Sequence, residues 1–264
     1  MPELAEVEYY RRQWDPGIDH CVIRVSLHER SRVLREMDPE LLVNALTGRK
    51  LLESAAHGKQ MLFRFSNGLW LGLHLGMTGS LQAQAAGFRP GRHDHLVLHQ
   101  AKRALVFNDP RQFGRVRFHQ GASAPEWWSA LPPALNSSEF TLSGMREFLK
   151  RHSRLPIKSA LLLQEGFPGV GNWMADEILW RAKLNPKAKA GALNEFHLKL
   201  LWKTIRFVCR GALRHIAPNF SDPPQGWLIN ERWTEGGRCP RDRTVLKRES
   251  IGARTTAWCP RCQA

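Results

Sequence analysis

Apolar residues recur at helical spacing at the very start of the chain. Leu4, Val7, Tyr10 and Trp14 fall on one face, so residues 2–14 are expected to form a helix. Pro2 takes its first position, where the missing N–H costs nothing. The period then shortens. Met61-Leu-Phe-Arg-Phe and Leu69-Trp-Leu-Gly-Leu-His-Leu read as strands on either side of Ser66-Asn67-Gly68, a strong hairpin signal. Further strand runs stand at 95–98, 103–107 and 115–118, and several short strands with Gly-rich turns predict a β-sandwich. Prolines 125, 132 and 133 mark a linker. From Thr141 to Ile216 the spacing becomes helical again, broken at Glu165-Gly-Phe-Pro-Gly-Val-Gly171, with Asn172 at the mouth of the next helix. Asn194 is placed to cap a long amphipathic helix running to Ile216. The expected fold is α+β: a β-sandwich with a leading helix over 1–125, a linker over 126–140, a helical domain over 141–228 and a C-terminal cysteine hairpin over 229–264.

Charge adds a partner to this picture. Thirty-nine Lys and Arg against 24 Asp and Glu leave a formal net charge of +15, spread through every segment, which points to a polyanion and most simply to nucleic acid. No apolar run approaches the roughly 20 residues of a membrane helix, and no signal-peptide pattern opens the chain, so a cytoplasmic protein with no membrane partner is expected. A length of 264 residues suits two modest domains or one domain with appendages.

Two clusters carry chemistry. A small penultimate residue permits trimming of the initiator methionine, which turns Pro2 into an N-terminal secondary amine. Such an amine titrates at roughly 7.7–8.0 and can form an iminium with a sugar carbon near neutral pH. Glu3 stands beside it to protonate the sugar ring oxygen. At the other end, Cys239-Pro-Arg-Asp242 and Cys259-Pro-Arg-Cys262 have the ligand spacing of a zinc ribbon, with Asp242 in the slot of a fourth thiolate. Three states remain open for it: a zinc site of three cysteines and Asp242, a three-cysteine site completed by water, or a hairpin held by packing alone. The other cysteines, Cys21 and Cys209, read as buried thiols. Lys247, Arg248 and Arg254 of the hairpin suit phosphate contact, as do the backbone N–H groups of the Gly169–Asn172 turn.

These pieces converge. The chain resembles the formamidopyrimidine-DNA glycosylase/endonuclease VIII family of base-excision repair enzymes, from Pro2 to Cys262. The matching segments are Pro2-Glu3-Leu4 with Glu6-Val7-Glu8, His57-Gly-Lys59, His74-Leu-Gly-Met-Thr-Gly-Ser80, Arg92-His-Asp-His95, Asn108-Asp-Pro-Arg-Gln-Phe-Gly114, the stretch from Gly169 to Glu177, and Arg254-Thr-Thr-Ala-Trp-Cys259. The resemblance implies a monomeric bifunctional DNA glycosylase and AP lyase acting on damaged double-stranded DNA. It implies that Pro2 attacks C1′, that Glu3 is the general acid, that Lys59 assists β-elimination and that Arg254 serves δ-elimination and phosphate grip. Asn172, Lys158, His93 and Arg111 match DNA-contacting positions, with Asn172 and Lys158 in a helix–two-turn–helix. Met77, Arg111 and Phe113 match a triad that fills the gap left by an everted nucleotide. From the ligand spacing one structural zinc ion is expected on Cys239, Cys259 and Cys262, with Asp242 the candidate fourth ligand.

The chain departs from the family pattern at Ala5, where proline is usual, and in a short segment between Ile216 and Cys239. That segment holds, in 8-oxoguanine enzymes, a loop over the everted purine. Formamidopyrimidines, oxidised pyrimidines or abasic sites are therefore expected ahead of 8-oxoguanine. The rival from another class is a non-catalytic, lesion- or structure-specific DNA-binding protein on the same scaffold, and a third reading is an RNA-binding zinc-ribbon protein.

Overall fold

The computed structural model describes residues 1–263. The chain forms two compact units: Glu6–Leu131 together with Met1–Pro2, and Pro132 onward together with Glu3–Ala5.

The first unit holds α1 (Leu4–Arg12, its first residues counted with the other unit), β1 (Val22–Leu27), α2 (Pro39–Leu46), β2 (Leu51–His57), β3 (Gln60–Phe65), β4 (Leu69–His74), β5 (Ser80–Ala85), β6 (Asp94–Gln100), β7 (Arg103–Asn108), β8 (Arg115–Gln120) and α3 (Glu126–Ser129). Its strands make two antiparallel four-stranded sheets, ordered β1-β6-β7-β5 and β2-β3-β4-β8. The inner faces share one apolar core in which Phe63, Phe65 and Leu71 of one sheet meet Leu81, Leu96, Leu105 and Phe107 of the other, with Trp14 fully buried among them. This is the expected sandwich. The hairpin forms where its signal stands: Phe65 pairs with Leu69 across Ser66-Asn67-Gly68, in which Asn67 and Gly68 take positive φ, 64° and 66°, a conformation these two residues tolerate best. β4 is buried on both faces because the Trp127 ring of α3 lies on Gly72, where any Cβ would collide with it. That explains a run apolar without alternation.

Three strands, β1, β2 and β5, and two helices, α2 and α3, lie outside the elements read from sequence. β2 is Leu-Leu-Glu-Ser-Ala-Ala-His and β5 is Ser-Leu-Gln-Ala-Gln-Ala, both poor in β-branched and aromatic residues and ordered by their partners. α2 is started by Asp38, whose carboxylate accepts from Glu40 N. Cys21 is exposed, contrary to the buried thiol expected, because it lies just before β1 in an isolated bridge to Lys50; Cys209 is buried.

The second unit holds α4 (Leu142–Arg151), α5 (Ile157–Leu161), α6 (Asn172–Arg181), α7 (Glu195–His215), α8 (Ile229–Arg232), β9 (Lys247–Ile251) and β10 (Arg254–Trp258). α7 begins as read, with Asn194 Oδ1 accepting from His197 N, and its stripe of Leu198, Leu201, Ile205, Val208 and Ala212 faces the core. α6 is buried from Trp173 to Trp180 and is the helix around which the unit packs. The Gly-rich interruption before it is a wound connection. Gln164 Nε2 donates to the carbonyls of Leu162 (3.0 Å) and Val170 (2.9 Å), its Oε1 accepts from Gly169 N (3.0 Å), and Gly169 sits at φ 88°. β9 and β10 pair as a hairpin across Gly252 and Ala253, both at positive φ. No helix among the described residues is long and apolar enough to cross a membrane.

Candidate DNA-processing and metal sites

In the second unit the decisive feature is where Glu3 goes. Its carboxylate is buried and seated on the N-terminal end of α6, accepting from Gly171 N (2.9 Å), Trp173 N (3.0 Å) and Met174 N (3.1 Å). Helix starts leave such N–H groups without intrahelical partners and carry a partial positive charge, so an anionic group is favoured there. Leu4 N donates to Gly169 O (3.0 Å), which pins the chain on the other side of the acid. Gly171 must be glycine because any Cβ there would collide with the Glu3 carboxylate. Pro2 is joined to Glu3 by a peptide bond, so its place is set within one residue of a fixed acid.

Around the same helix start lies a buried ionic cluster. Asp176 on α6 accepts from Lys158 Nζ (2.5 Å), from Arg232 Nε (3.0 Å) and Nη2 (2.7 Å), and from Ala257 N (3.1 Å) of β10. Lys158 also donates to the carbonyl of Asn172 (2.7 Å). Asn172 Nδ2 in turn donates to Thr255 O (2.8 Å), next to Arg254. One carboxylate thus ties α5, α6, α8 and the hairpin together. Lys158 was expected at a DNA-contacting position, but its side chain is fully buried with the ammonium enclosed by Asp176 and Asn172. Burial presses its pKa down, which Asp176 opposes. Arg254 is exposed at the head of β10. Glu177, the next residue on α6, is also buried, and burial pushes its carboxyl up to about 7 against the pull of Arg181 at 2.6 Å.

Beyond α8, Cys239, Asp242, Cys259 and Cys262 bring one ligand atom each within 4.8 Å of one another. Sγ of Cys239 and Cys262 are 3.7 Å apart, and Asp242 oxygens lie 3.6 Å from Cys259 Sγ and 3.3 Å from Cys262 Sγ. A tetrahedron of about 2.3 Å zinc–sulfur bonds has edges of about 3.8 Å, so the four donors fit zinc. Trp180 Nε1 donates to Cys239 Sγ (3.3 Å) and Cys262 N to Cys259 Sγ (3.3 Å), contacts that support thiolate charge. The Thr244 N–H (3.0 Å) holds the Asp242 carboxyl well below the usual carboxylate range. These four residues could hold a zinc ion.

In the first unit, Lys59 sits on the β2–β3 turn behind Gly58 (φ 60°) and is buried except for 8% of its surface. Neighbouring His74, at the end of β4, has its pKa lowered to about 4, chiefly by burial and then by the positive charges of Lys59, Arg115, Arg117 and Arg35. Its Nδ1 accepts from Gly76 N (3.1 Å), the start of the loop that carries Met77. The Arg111 guanidinium lies 4.8 Å above the ring of Phe113, and Gly76 lies against the Phe113–Gly114 backbone, so Met77, Arg111 and Phe113 are brought together on two adjoining loops. His93 meets them through the main chain, its carbonyl accepting from Asp109 N (3.0 Å). Sequence reasoning missed His74, Asp109, Asp176 and Arg232. His74, Asp109 and Asp176 lie in the matched segments and Arg232 outside them, and burial of a charge carries no one-dimensional signal.

Comparison with known proteins places the chain in a family. Residues 1–116 match the formamidopyrimidine-DNA glycosylase N-terminal domain and residues 131–221 the formamidopyrimidine-DNA glycosylase H2TH domain. The chain is 32% identical to formamidopyrimidine-DNA glycosylase of Roseiflexus sp. (strain RS-1), with all of both chains covered, and 34% identical to that of Thermus thermophilus, over 100% of this chain and 98% of that one. Among solved structures, wild-type Lactococcus lactis Fpg (MutM) with DNA containing an oxidised pyrimidine superposes at TM-score 0.89, with 26% identity and 99% coverage of each chain. MutM in complex with DNA containing carbocyclic 8-oxo-G gives TM-score 0.88 at 27% identity, again over 99% of each. The chain belongs to the formamidopyrimidine-DNA glycosylase family.

Proposed function

We infer that this protein is a DNA glycosylase of base-excision repair with AP lyase activity, acting on oxidised bases in double-stranded DNA. The observation that carries this reading is the Glu3 carboxylate fixed on three backbone N–H groups directly after Pro2. A protein that only bound DNA would need neither an N-terminal secondary amine nor an acid built in beside it.

In this scheme the Pro2 nitrogen, freed by removal of Met1, forms a bond to C1′ and loses its proton. The C1′–N bond to the base breaks, and the base leaves with the bonding pair. Glu3 takes up the proton released by the Pro2 nitrogen and gives it to O4′ as the sugar opens, leaving an iminium between C1′ and Pro2. Loss of a C2′ proton then expels the 3′ phosphate, a step in which Lys59 assists, and Arg254 serves the second elimination and grips phosphate. Asn172, His93 and Arg111 contact DNA, while Lys158 acts through Asn172, to whose carbonyl it is bound. Met77, Arg111 and Phe113 fill the gap in the stack, replacing part of the few kcal/mol that eversion costs.

One zinc ion on Cys239, Asp242, Cys259 and Cys262 would hold the hairpin that presents Arg254; its contribution is structural. Formamidopyrimidines and oxidised pyrimidines are the favoured lesions. The short 217–228 segment folds onto its own unit, with Trp227 buried against Gly211 and Pro224 O accepting from Asn230 Nδ2 (3.0 Å), and little chain is left to cover a purine. Incision of duplexes carrying single lesions tests this: formamidopyrimidine and oxidised-pyrimidine strands should be cut well ahead of 8-oxoguanine opposite cytosine. Comparable rates on 8-oxoguanine would refute the lesion preference, and no incision of any lesion or abasic site would leave the non-catalytic binder.

A further inference from the structure

Asp109 stands just beyond β7, between the two loops that carry the wedge residues. Its side chain is fully buried and divided between those loops. Oδ1 accepts from Thr78 Oγ1 (2.8 Å), next to Met77, and from Arg111 N (3.4 Å); Oδ2 accepts from Gly114 N (2.7 Å), next to Phe113. Its own main chain is equally held, since its carbonyl accepts from His95 Nε2 (3.0 Å) and Gln112 N (3.1 Å). The loops leave no slack. A Cβ on Gly76 would collide with the Phe113–Gly114 backbone, and one on Gly114 would come within 2.7 Å of Phe107 Cζ. Gln112 is held at φ 53°, a conformation a non-glycine residue keeps only when its surroundings over-determine it.

Met77 and Phe113 are nonetheless 39% and 52% exposed. Apolar side chains on free loops would fold back onto the protein, whereas these are held out in water by a carboxylate that has spent both oxygens on the loops beneath them. We propose that Asp109 is a positioning residue that pre-organises the Met77–Arg111–Phe113 wedge before DNA arrives, so that insertion needs no reordering of either loop. This rests on the gap-filling role given above. Its gain is kinetic, because ordering two loops during insertion would be added to the barrier.

Asp109→Asn is the sharp perturbation. It keeps the shape but must aim an NH₂ group either at Thr78 and the Arg111 N–H or at the Gly114 N–H, and each arrangement sets donor against a backbone donor. Thr78→Val removes one link only. Both are compared with wild type and with Phe113→Ala on a duplex holding one abasic site opposite 2-aminopurine. Stopped-flow fluorescence reports unstacking of the opposing base, borohydride trapping reports the covalent adduct, and calorimetry reports the fold. Asp109→Asn should slow the unstacking step at least about tenfold, a barrier increment of about 1.4 kcal/mol. It should resemble Phe113→Ala, with Thr78→Val between, while equilibrium binding changes less than about threefold. An unchanged unstacking rate in a folded Asp109→Asn overturns the proposal. Should that variant not fold, an unchanged rate in Thr78→Val overturns it. Absence of any adduct with the wild type would instead bring down the glycosylase/lyase reading itself.

Discussion

Replacing Asp176 by Asn should damage the second unit more than any surface change, because this carboxylate compensates two buried cations at once. The Lys158 and Arg232 side chains are 0% and 1% exposed. Removing one partner of a buried ion pair typically costs about 3–5 kcal/mol, most of it the penalty of the orphaned charge. For a unit of this size that corresponds to a fall in Tm of about 10–20 °C. A second consequence carries the sign. Burial already lowers the Lys158 pKa and Asp176 opposes the shift, so without the carboxylate the pKa falls further. Between that folded value and the unfolded one near 10.5 the unfolded state binds more protons, so stability of Asp176→Asn must rise with pH through that window. Calorimetry at several pH values measures both effects. In the double variant Asp176→Asn/Lys158→Met one orphan is removed; the rise with pH should vanish and part of the loss should return. A loss below about 1 kcal/mol in the single variant, with no pH dependence, would refute a charge-compensating role for Asp176.

Further expectations follow from the other sites. His74, at about 4 when folded and 6.5 when unfolded, costs stability as pH falls through that interval, since the unfolded state takes up the proton first. The loss amounts to about 3 kcal/mol, and His74→Gln should flatten the acid limb of denaturant midpoints for the first unit. Gly171→Ala, whose Cβ would displace the Glu3 carboxylate, should cut turnover by about 100-fold in a protein that still folds, since small misplacements of a reacting group have that effect. Asp242→Cys should retain more zinc against a chelator than wild type by elemental analysis, and Asp242→Ala less; equal zinc in Asp242→Ala would remove Asp242 from the ligand set.

What could be read from the chain followed physical periodicity. Short apolar and β-branched runs located β3, β4, β6, β7 and β8, the 3.6 period located α7, and the Asn67-Gly68 turn and Asn194 cap were readable because each has a single-residue chemical cause. β2 and β5 were not readable, because Ala, Ser and Gln have no preference for strands and are recruited by neighbours. At the sites, side chains that meet solvent were easier to name than those that hold them. Arg111, Phe113 and Arg254 were named in advance, whereas Asp109 and Asp176 lie inside the same matched segments and were passed over. Their importance comes from burial, and burial is decided by which distant donors arrive: Thr78 for one, Arg232 and Ala257 for the other. Lys158 illustrates the converse. The family resemblance puts it among the DNA-contacting positions, whereas its ammonium is enclosed by Asp176 and Asn172.

The central claim is that catalysis runs through the amine of Pro2 beside a preset Glu3. Borohydride reduction of the protein on a duplex with one abasic site, followed by peptide mass mapping, tests it most directly. A reduced adduct is expected on the N-terminal peptide at Pro2 of Met1-trimmed protein, slowed in Pro2→Gly, which keeps an α-amine, and lost in a form that retains Met1. An adduct on a lysine instead, or none at all despite tight binding, would contradict it.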